Sequence, residues 1–583
     1  MTVIVRDAGS GKYRVFERPI EMVVARRAAD VLPAFRRIET VCKRDGRFAA
    51  GFISYEAAPG FDPTLQTKPA DDFPLLWFGL FESASDRPLD EIPGDRKRPR
   101  TAVQKWEPSI TPERYRQVFD RLQELIRSGE TYQVNFTYRL RTKHMEDPIS
   151  LFVQLAEDQA PPFGAYVDTG EWVVCSASPE LFFHRSGSSI ESRPMKGTAA
   201  RGLWFEQDVE HADRLLQSEK DRAENVMIVD MVRNDLGRIA RPGSVRVSQL
   251  FDVERYPTVL QLTSTVAAET DASLTEVMTA LFPPASVTGA PKPRTLEIIK
   301  ELECSPRRIY TGTIGFIEPS GRAQFSVAIR TVLVNRATGE AEYGVGGGIV
   351  ADSRAGEELA ECRLKSKVLE PPRPAFDLLE TMLWTPDEGY VLLSHHLVRL
   401  LRSADYFGFR LDLGAVRERL DRLASGLEKA PHRVRLLVSR RAAVQLSAVL
   451  QDPGEKFPEL ALAVDPVDAA NPFLYHKTTN REVYEDAIAS RPGFSDVILF
   501  NQRKEVTETT IANVVVDIGG ELFTPPIACG LLPGTYRAWL LRHGKVRERI
   551  ISVDELMNAN GLYLMNSVRG IQITDFVLAT TGL

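Results

Sequence analysis

Between Leu369 and Pro374 the chain reads Leu-Glu-Pro-Pro-Arg-Pro, three prolines in six residues. Proline fixes φ, lacks an N–H and drives the preceding residue out of the helical region, so neither a helix nor a central strand can cross this point. The 583 residues are therefore expected to divide here, into a body spanning 1–370, a linker at 371–375 and a second body at 376–583. Length alone, at roughly 150 residues per domain, suggests more pieces. No repeat or low-complexity tract marks further boundaries, and the Pro-, Asp- and Arg-rich stretch 86–100 reads as an exposed loop.

Composition narrows the class. With 43% hydrophobic and 26% charged residues the chain is an ordinary globular one, and a net charge of −6 gives no general attraction for nucleic acid or acidic membranes. Its N-terminal stretch lacks the apolar segment of a secretory signal, and no apolar run approaches a membrane span. Five cysteines, widely spaced and without a C-x-x-C pair, argue against a disulfide framework or a zinc site. A cytoplasmic protein with reduced thiols is the expectation.

Three segments carry chemistry. Arg193-Pro-Met-Lys-Gly-Thr-Ala-Ala-Arg-Gly202 puts the amine of Lys196 in a Pro/Gly-bounded stretch that can hardly be a regular helix. Upstream, Ser178-Pro-Glu180 leads into a strand-turn-strand pattern, which predicts a hairpin bringing Glu180 and Lys196 to neighbouring strands. Taken alone, such a Glu/Lys pair is more often a surface cross-strand contact. In the second segment a glycine strand-loop from Tyr343, with Gly346, Gly347 and Gly348, runs into a helix whose Glu358, Glu361 and Lys365 fall at i, i+3 and i+7, on one face. The third, Ser218 to Gly237, reads as a helix bearing Glu224, with Gly237 as its C-cap. Oxygen ligands of this kind suit magnesium.

Together with Phe282-Pro-Pro-Ala-Ser-Val-Thr-Gly-Ala-Pro-Lys-Pro-Arg294 and Val327-Ala-Ile-Arg-Thr331, these segments resemble the chorismate-utilising enzymes. The resemblance is strong from about residue 100 to 369 and weak before it. It implies an α+β fold of layered, mostly antiparallel sheets flanked by helices, with chorismate as substrate. In this family a lysine at the position of Lys196 marks the members that aminate at C4, where it attacks ring carbon C2; ortho-aminating members carry alanine. Members that add water use a lysine where this chain has Gln133, which cannot act as a base.

The resemblance further implies magnesium held by Glu224, Glu358 and Glu361, and Glu180 as the general acid for the departing hydroxyl. Arg330 would pair with the enolpyruvyl carboxylate, and the Ser286/Thr288 loop, Gly346 to Gly348 and Lys365 would complete the substrate cradle. Family members usually have histidine where Gln261 stands, so that residue's role does not carry over. No cysteine lies in a Gly-x-Cys-x-Gly setting, so ammonia is expected from a separate glutamine amidotransferase subunit.

After the proline run, Leu379-Glu-Thr-Met, Leu393-Ser-His-His-Leu-Val-Arg399, Leu474-Tyr-His-Lys477, Val506-Thr-Glu508 with Asn513, and Gly530-Leu-Leu-Pro-Gly-Thr-Tyr-Arg537 resemble the class IV pyridoxal-phosphate enzymes, a two-part α+β fold. By that resemblance Lys477 forms the Schiff base with the cofactor, and Glu508 pairs with its pyridine nitrogen. Arg399 with Thr535 and Tyr536 binds its phosphate, Ser567 adds a further contact, and His396 is structural or a direct participant. The half lacks the strands with which family members usually begin, and a homodimer is a further expectation.

The fusion favours one reading, in which the first product carries the amine that a class IV lyase accepts. The expected function is bifunctional synthesis of 4-aminobenzoate, by amination of chorismate and then elimination of pyruvate. The rivals are an anthranilate-type synthase fused to an aminotransferase, and a synthase carrying a catalytically silent docking domain.

Overall fold

The structure, a computed structural model, describes residues 1–95, 105–143, 145, 147–370 and 374–574. Residues 371–373 of the expected linker and 96–100 of the expected loop lie outside the described residues. The chain forms two compact units: Met1–Arg201 with His211–Arg373, and Gly202–Glu210 with Pro374–Leu583. Among the described residues no helix is long and apolar enough to cross a membrane.

Two ten-stranded sheets make the first unit. One sets Gln133–Thr142 beside Ala341–Ile349 and continues through Thr331–Asn335, Trp172–Ser178 and Phe163–Asp168 to Thr2–Arg6. The other begins with Met195–Ala200 beside Val259–Glu269 and passes through Ser189–Arg193, Leu181–Ser186 and Ala323–Val327 towards Phe48–Ile53. Both faces of each sheet are covered, which is why strand sequences such as Val3-Ile-Val5 are apolar throughout rather than alternating. Val3 and Val5 turn into the core shared with Ala50, Phe52 and Trp77 of the other sheet. Ile4 turns the other way, into the core beneath the helices Pro112–Arg127 and Pro148–Gln159. A third core lies between the second sheet and the helices Ala28–Asp45, Glu219–Gly237 and Leu274–Leu281. The unit is thus layered helix, sheet, sheet, helix, the α+β arrangement expected from the resemblance.

The helix predicted over 218–237 is present as Glu219–Gly237. Ser218 caps it by accepting from the N–H of Asp221, and Asn225, Ile228, Val229, Val232 and Leu236 form its buried face. Gly237 is not the C-cap. It is the last helical residue, and Arg238 follows in the right-handed region, so no left-handed glycine turn is needed.

A buried ion pair fastens the first unit near its cavity. Arg307, 1% exposed, donates to Glu303 at 2.6 Å, to Asn135 O at 2.6 Å and to Val287 O at 2.9 Å. Its guanidinium lies 4.5 Å from the Tyr55 ring centre. Glu303 also accepts from the N–H and hydroxyl of Thr137, at 3.0 and 2.8 Å. Glu56, which burial pushes up to about 7, takes the N–H groups of Arg307 and Arg308.

In the second unit a four-stranded antiparallel sheet, Gly389–Tyr390, Leu378–Thr385, His432–Val438 and Val444–Leu450, packs on the helices Leu393–Phe407 and Leu413–Ala424. An eight-stranded sheet centred on Asp496–Phe500, Val506–Thr509 and Asn513–Ile518 forms the other part. Gly202–Glu210 is integral to this unit. Trp204 meets the Tyr475 ring at a tilt of 31° with ring centres 5.2 Å apart, Tyr406 donates its hydroxyl to Gly202 O at 2.8 Å, and Leu203 and Trp204 pack against the core of Leu474, Tyr475 and Val497.

Replacing Arg307 by Met strands a buried carboxylate, and the expected loss is about 3–5 kcal/mol, read from urea unfolding. Adding Glu303→Leu should recover part of it. Equal losses in the single and double variants would show that the pair is not the critical contact.

Candidate active sites

Glu180, Lys196, Glu224, Ser286, Arg330, Glu358, Glu361 and Lys365 all border one cavity of the first unit, with Gly346 and Gly348 in its wall. The hairpin was expected to deliver Glu180 and Lys196 to neighbouring strands. It pairs Leu181 with Arg193 instead, leaving Glu180 just before its first strand and Lys196 just after its second. Lys196 sits on the next strand, Met195–Ala200, which pairs with Val259–Glu269. Pro194 breaks the hairpin strand, and both side chains reach the cavity from its ends.

Glu180 is 3% exposed, and burial pushes its carboxyl up to about 7 although Ser286 donates to it at 2.5 Å. Burial also lowers Lys196, against the attraction of Glu224, Glu361 and Glu180. A carboxyl that holds a proton and an amine that can lose one therefore face the same space. Asn225 ties the Glu224 helix to this strand, accepting from Ser264 at 2.6 Å and donating to Lys196 O at 3.5 Å.

Burial lifts Glu224 to about 6, and burial together with Glu361 lifts Glu358. Glu361, despite its burial, is held low by Lys365, 2.5 Å away. Ser353 donates to Glu358 at 2.6 Å. Among the described residues no three such side chains converge closely enough to hold a metal ion as they stand. The oxygen-only donor set still suits a hard divalent cation, which would have to draw Glu361 from Lys365. Lys365 itself is engaged by Glu361 and by Gly346 O, at 3.0 Å.

Other predicted residues sit differently. Gly346 to Gly348 lie inside the strand Ala341–Ile349, paired with Thr137, Phe136 and Asn135, not in a loop. What they supply is space: a methyl on Gly348 would lie 2.5 Å from Lys196 Nζ and 2.7 Å from Gln133 Nε2. Gly347 faces Glu358 instead of the cavity. Gln133 is fully buried behind Gly348, and neither atom of its amide has a partner among the described residues. The Thr288 hydroxyl bonds Pro284 O and Ala285 O of its own turn, so of the predicted loop pair only Ser286 reaches the cavity.

In the second unit Lys477, Glu508, Arg399, Thr535, Tyr536 and Ser567 border one cavity of about 630 Å³. The lysine loop is fixed by the N–H of Leu379 bonding Lys477 O at 3.0 Å. Burial, helped by Arg399, lowers Lys477 to about 8. Burial pushes Glu508 up to about 8, although Tyr484, Asn513 and the N–H of Leu532 all donate to it, at 2.9 to 3.1 Å. Thr535 and Tyr536 open the helix Thr535–Arg542, whose free N–H groups suit a phosphate. These residues fit pyridoxal phosphate: a neutralisable amine, an acid for a ring nitrogen and an anion cradle.

Sequence reasoning missed Glu380, 1% exposed, which holds Arg399 through two bonds of 2.9 and 2.6 Å and meets His396 Nδ1 at 2.6 Å. Arg399 is thus aimed by a buried carboxylate, and His396 bridges Glu380 to Thr535. A lone acid in the apolar run Leu378-Leu-Glu-Thr-Met-Leu383 was the available signal. Tyr484 carried none.

A pair of stacked sheets thus holds an amine, a carboxyl and a guanidinium around one cavity. The chain belongs to the chorismate binding enzyme family, whose model matches residues 4–371. The model of class IV amino-transferases matches residues 377–575. Aminodeoxychorismate synthase component 1 of Klebsiella aerogenes is 42% identical over 263 residues, covering 45% of this chain and 58% of that protein. The protein of the same description from Escherichia coli is 40% identical over 263 residues, with the same coverage of 45% and 58%. The chain thus spans little more than half the length of these relatives. Anthranilate synthase component I of Streptococcus pneumoniae shares the fold, with a TM-score of 0.54 at 24% identity over 61% of this chain and 91% of that one.

A carboxyl raised by folding from 4.5 to about 8 contributes most stability at low pH and loses that contribution as pH climbs through this range. Glu508→Gln should therefore gain in melting temperature over the cofactor-free wild type as pH rises from 5 to 8.5. Calorimetry checks this, and a difference that does not change with pH would contradict the assigned burial.

Proposed function

We propose that this chain makes 4-aminobenzoate from chorismate, aminating it in the first unit and eliminating pyruvate in the second. The observation that carries the reading is the grouping of Lys196, Glu180 and Arg330 on one cavity, with glutamine rather than lysine at 133. The likeness to aminodeoxychorismate synthase component 1 supports it.

Arg330 receives the enolpyruvyl carboxylate, for which its planar fork is well shaped. Glu180, protonated, gives its proton to the C4 hydroxyl, which leaves as water while neutral Lys196 Nζ bonds C2 and both ring double bonds shift, C1=C2 to C1=C6 and C5=C6 to C4=C5. Ammonia then adds at C4, both double bonds return and the C2–Nζ bond breaks, and the proton shed by the added ammonia restores Glu180, so chorismate and ammonia become 4-amino-4-deoxychorismate and water. Glu224, Glu358 and Glu361 would hold magnesium, which neutralises a ring carboxylate.

Ammonia comes from a glutamine amidotransferase partner. Four of the five cysteines are buried, and none stands in a Gly-x-Cys-x-Gly setting.

In the second unit pyridoxal phosphate would supply an electron sink for the carbon that bears the new amine. Lys477 would bind it and take the C4 proton, Glu508 would meet its ring nitrogen, and Arg399, Ser567 and the N–H groups of Thr535 and Tyr536 would hold its phosphate. Loss of pyruvate then leaves an aromatic ring.

Purified protein given chorismate, an ammonium salt, magnesium and pyridoxal phosphate should yield 4-aminobenzoate and pyruvate by mass spectrometry, and Lys477→Ala should stop at 4-amino-4-deoxychorismate. Anthranilate would overturn the assignment, and use of glutamine by the chain alone would remove the need for a partner. Because Glu180 acts as an acid and burial pushes it to about 7, amination kcat should fall as pH rises through that value. A flat profile up to pH 9 would take that role from Glu180.

A further inference from the structure

Arg330 is 7% exposed and borders the first cavity, yet among the described residues it has no ion pair. It lies over the ring of Tyr256, centre to centre 4.9 Å, and among the described residues its one side-chain hydrogen bond runs from Nη2 to Gln261 Oε1, at 3.2 Å. The other end of the same amide points at the lysine strand. Gln261 Nε2 donates to Thr198 Oγ1 at 2.7 Å and to Gly197 O at 3.1 Å, the two residues that follow Lys196. Gln261 is itself 7% exposed and stands opposite Thr198 in the pairing of the two strands. One neutral side chain thus joins the guanidinium to the segment that carries the amine.

Neutrality matters here. A carboxylate at this position would also orient Arg330, but it would cancel the charge that the cavity offers an anionic ligand. A primary amide has an acceptor for the guanidinium and donors for the strand, and it keeps both at every pH. We infer that Gln261 is a positioning residue: it aims Arg330 and the Lys196 strand at a common substrate while leaving the positive charge of Arg330 free for the substrate's carboxylate. The inference rests on the reading of this cavity as a chorismate site.

Two substitutions separate this role from simple packing. In Gln261→Glu the new carboxyl, when protonated, can accept from Arg330 and donate to Gly197 O as the amide does. When ionised it captures Arg330 and loses its donor. In Gln261→His the neutral imidazole has one acceptor and one donor, and protonation removes the acceptor that Arg330 needs. Glu180, Lys196, Tyr256, Tyr343 and Lys365 also face this region, as does Glu254, opposite Gln261 in the pairing with Arg246–Arg255; burial pushes Glu180 up to about 7 and lowers Lys196 in the wild type too, which is therefore the reference.

The measurement is calorimetric binding of chorismate to the full chain, with magnesium and without an ammonia source, between pH 5.5 and 8.5. Relative to wild type, Gln261→Glu should weaken binding about tenfold or more as pH rises, an effect of one charge-assisted contact. Gln261→His should weaken it as pH falls. Parallel, pH-independent losses in both variants, or no loss in either, would overturn the positioning role. Failure of the wild type to bind chorismate at any pH would instead bring down the reading of the cavity, and the inference with it.

Discussion

The arrangement of the first unit depends on the burial of Arg307 against Glu303. Taking both charges out of water is costly, and the pair persists because nearly every donor and acceptor around it is used. The bonds reach the strand Gln133–Thr142 through Asn135 and Thr137, the turn after Phe48–Ile53 through Tyr55 and Glu56, and the loop of Ser286 through Val287. These belong to both sheets and to the cavity wall. Ser286 in turn holds Glu180, so the position of the proposed acid traces back to a salt bridge that never meets substrate.

Both cavities use the same electrostatic device with different scaffolding. In each, a lysine is lowered and a glutamate raised by burial, which brings their proton affinities towards each other. Glu180 accepts from the Ser286 hydroxyl and from the N–H of Met195. Glu508 has three donors converging on it, which favour the charged form once a cationic ring nitrogen is near.

What could be read from the sequence was local. Lys196, Glu180, Glu358 and Lys477 stand in motifs whose order and spacing are fixed along the chain, and the layered fold followed from the resemblance those motifs carry. The strand that holds Lys196 pairs with one more than fifty residues later, a partner that no local pattern names. Glu303 and Arg307 sit four apart, a spacing typical of exposed helix pairs, and only the packed structure shows them buried. Gln261 read as a lost histidine because a side chain's partners are not written in its own segment. Glycines 346 to 348 read as a strand-loop offering N–H groups to an anion, whereas in the structure they lie within a strand and Gly348 leaves room for Lys196 and Gln133.

The second unit is not one stretch of chain. Gly202–Glu210 belongs to it, with Trp204 seated on Tyr475 two residues before Lys477, although these residues are encoded far ahead of the proline run. A gene broken at that run would give two polypeptides whose ends look natural, but the segment that supports Tyr475 would travel with the wrong one. Fusion of the two halves, once that segment had been recruited, is therefore hard to reverse by a single cut, and stand-alone versions of the second half would need another side chain in the place of Trp204.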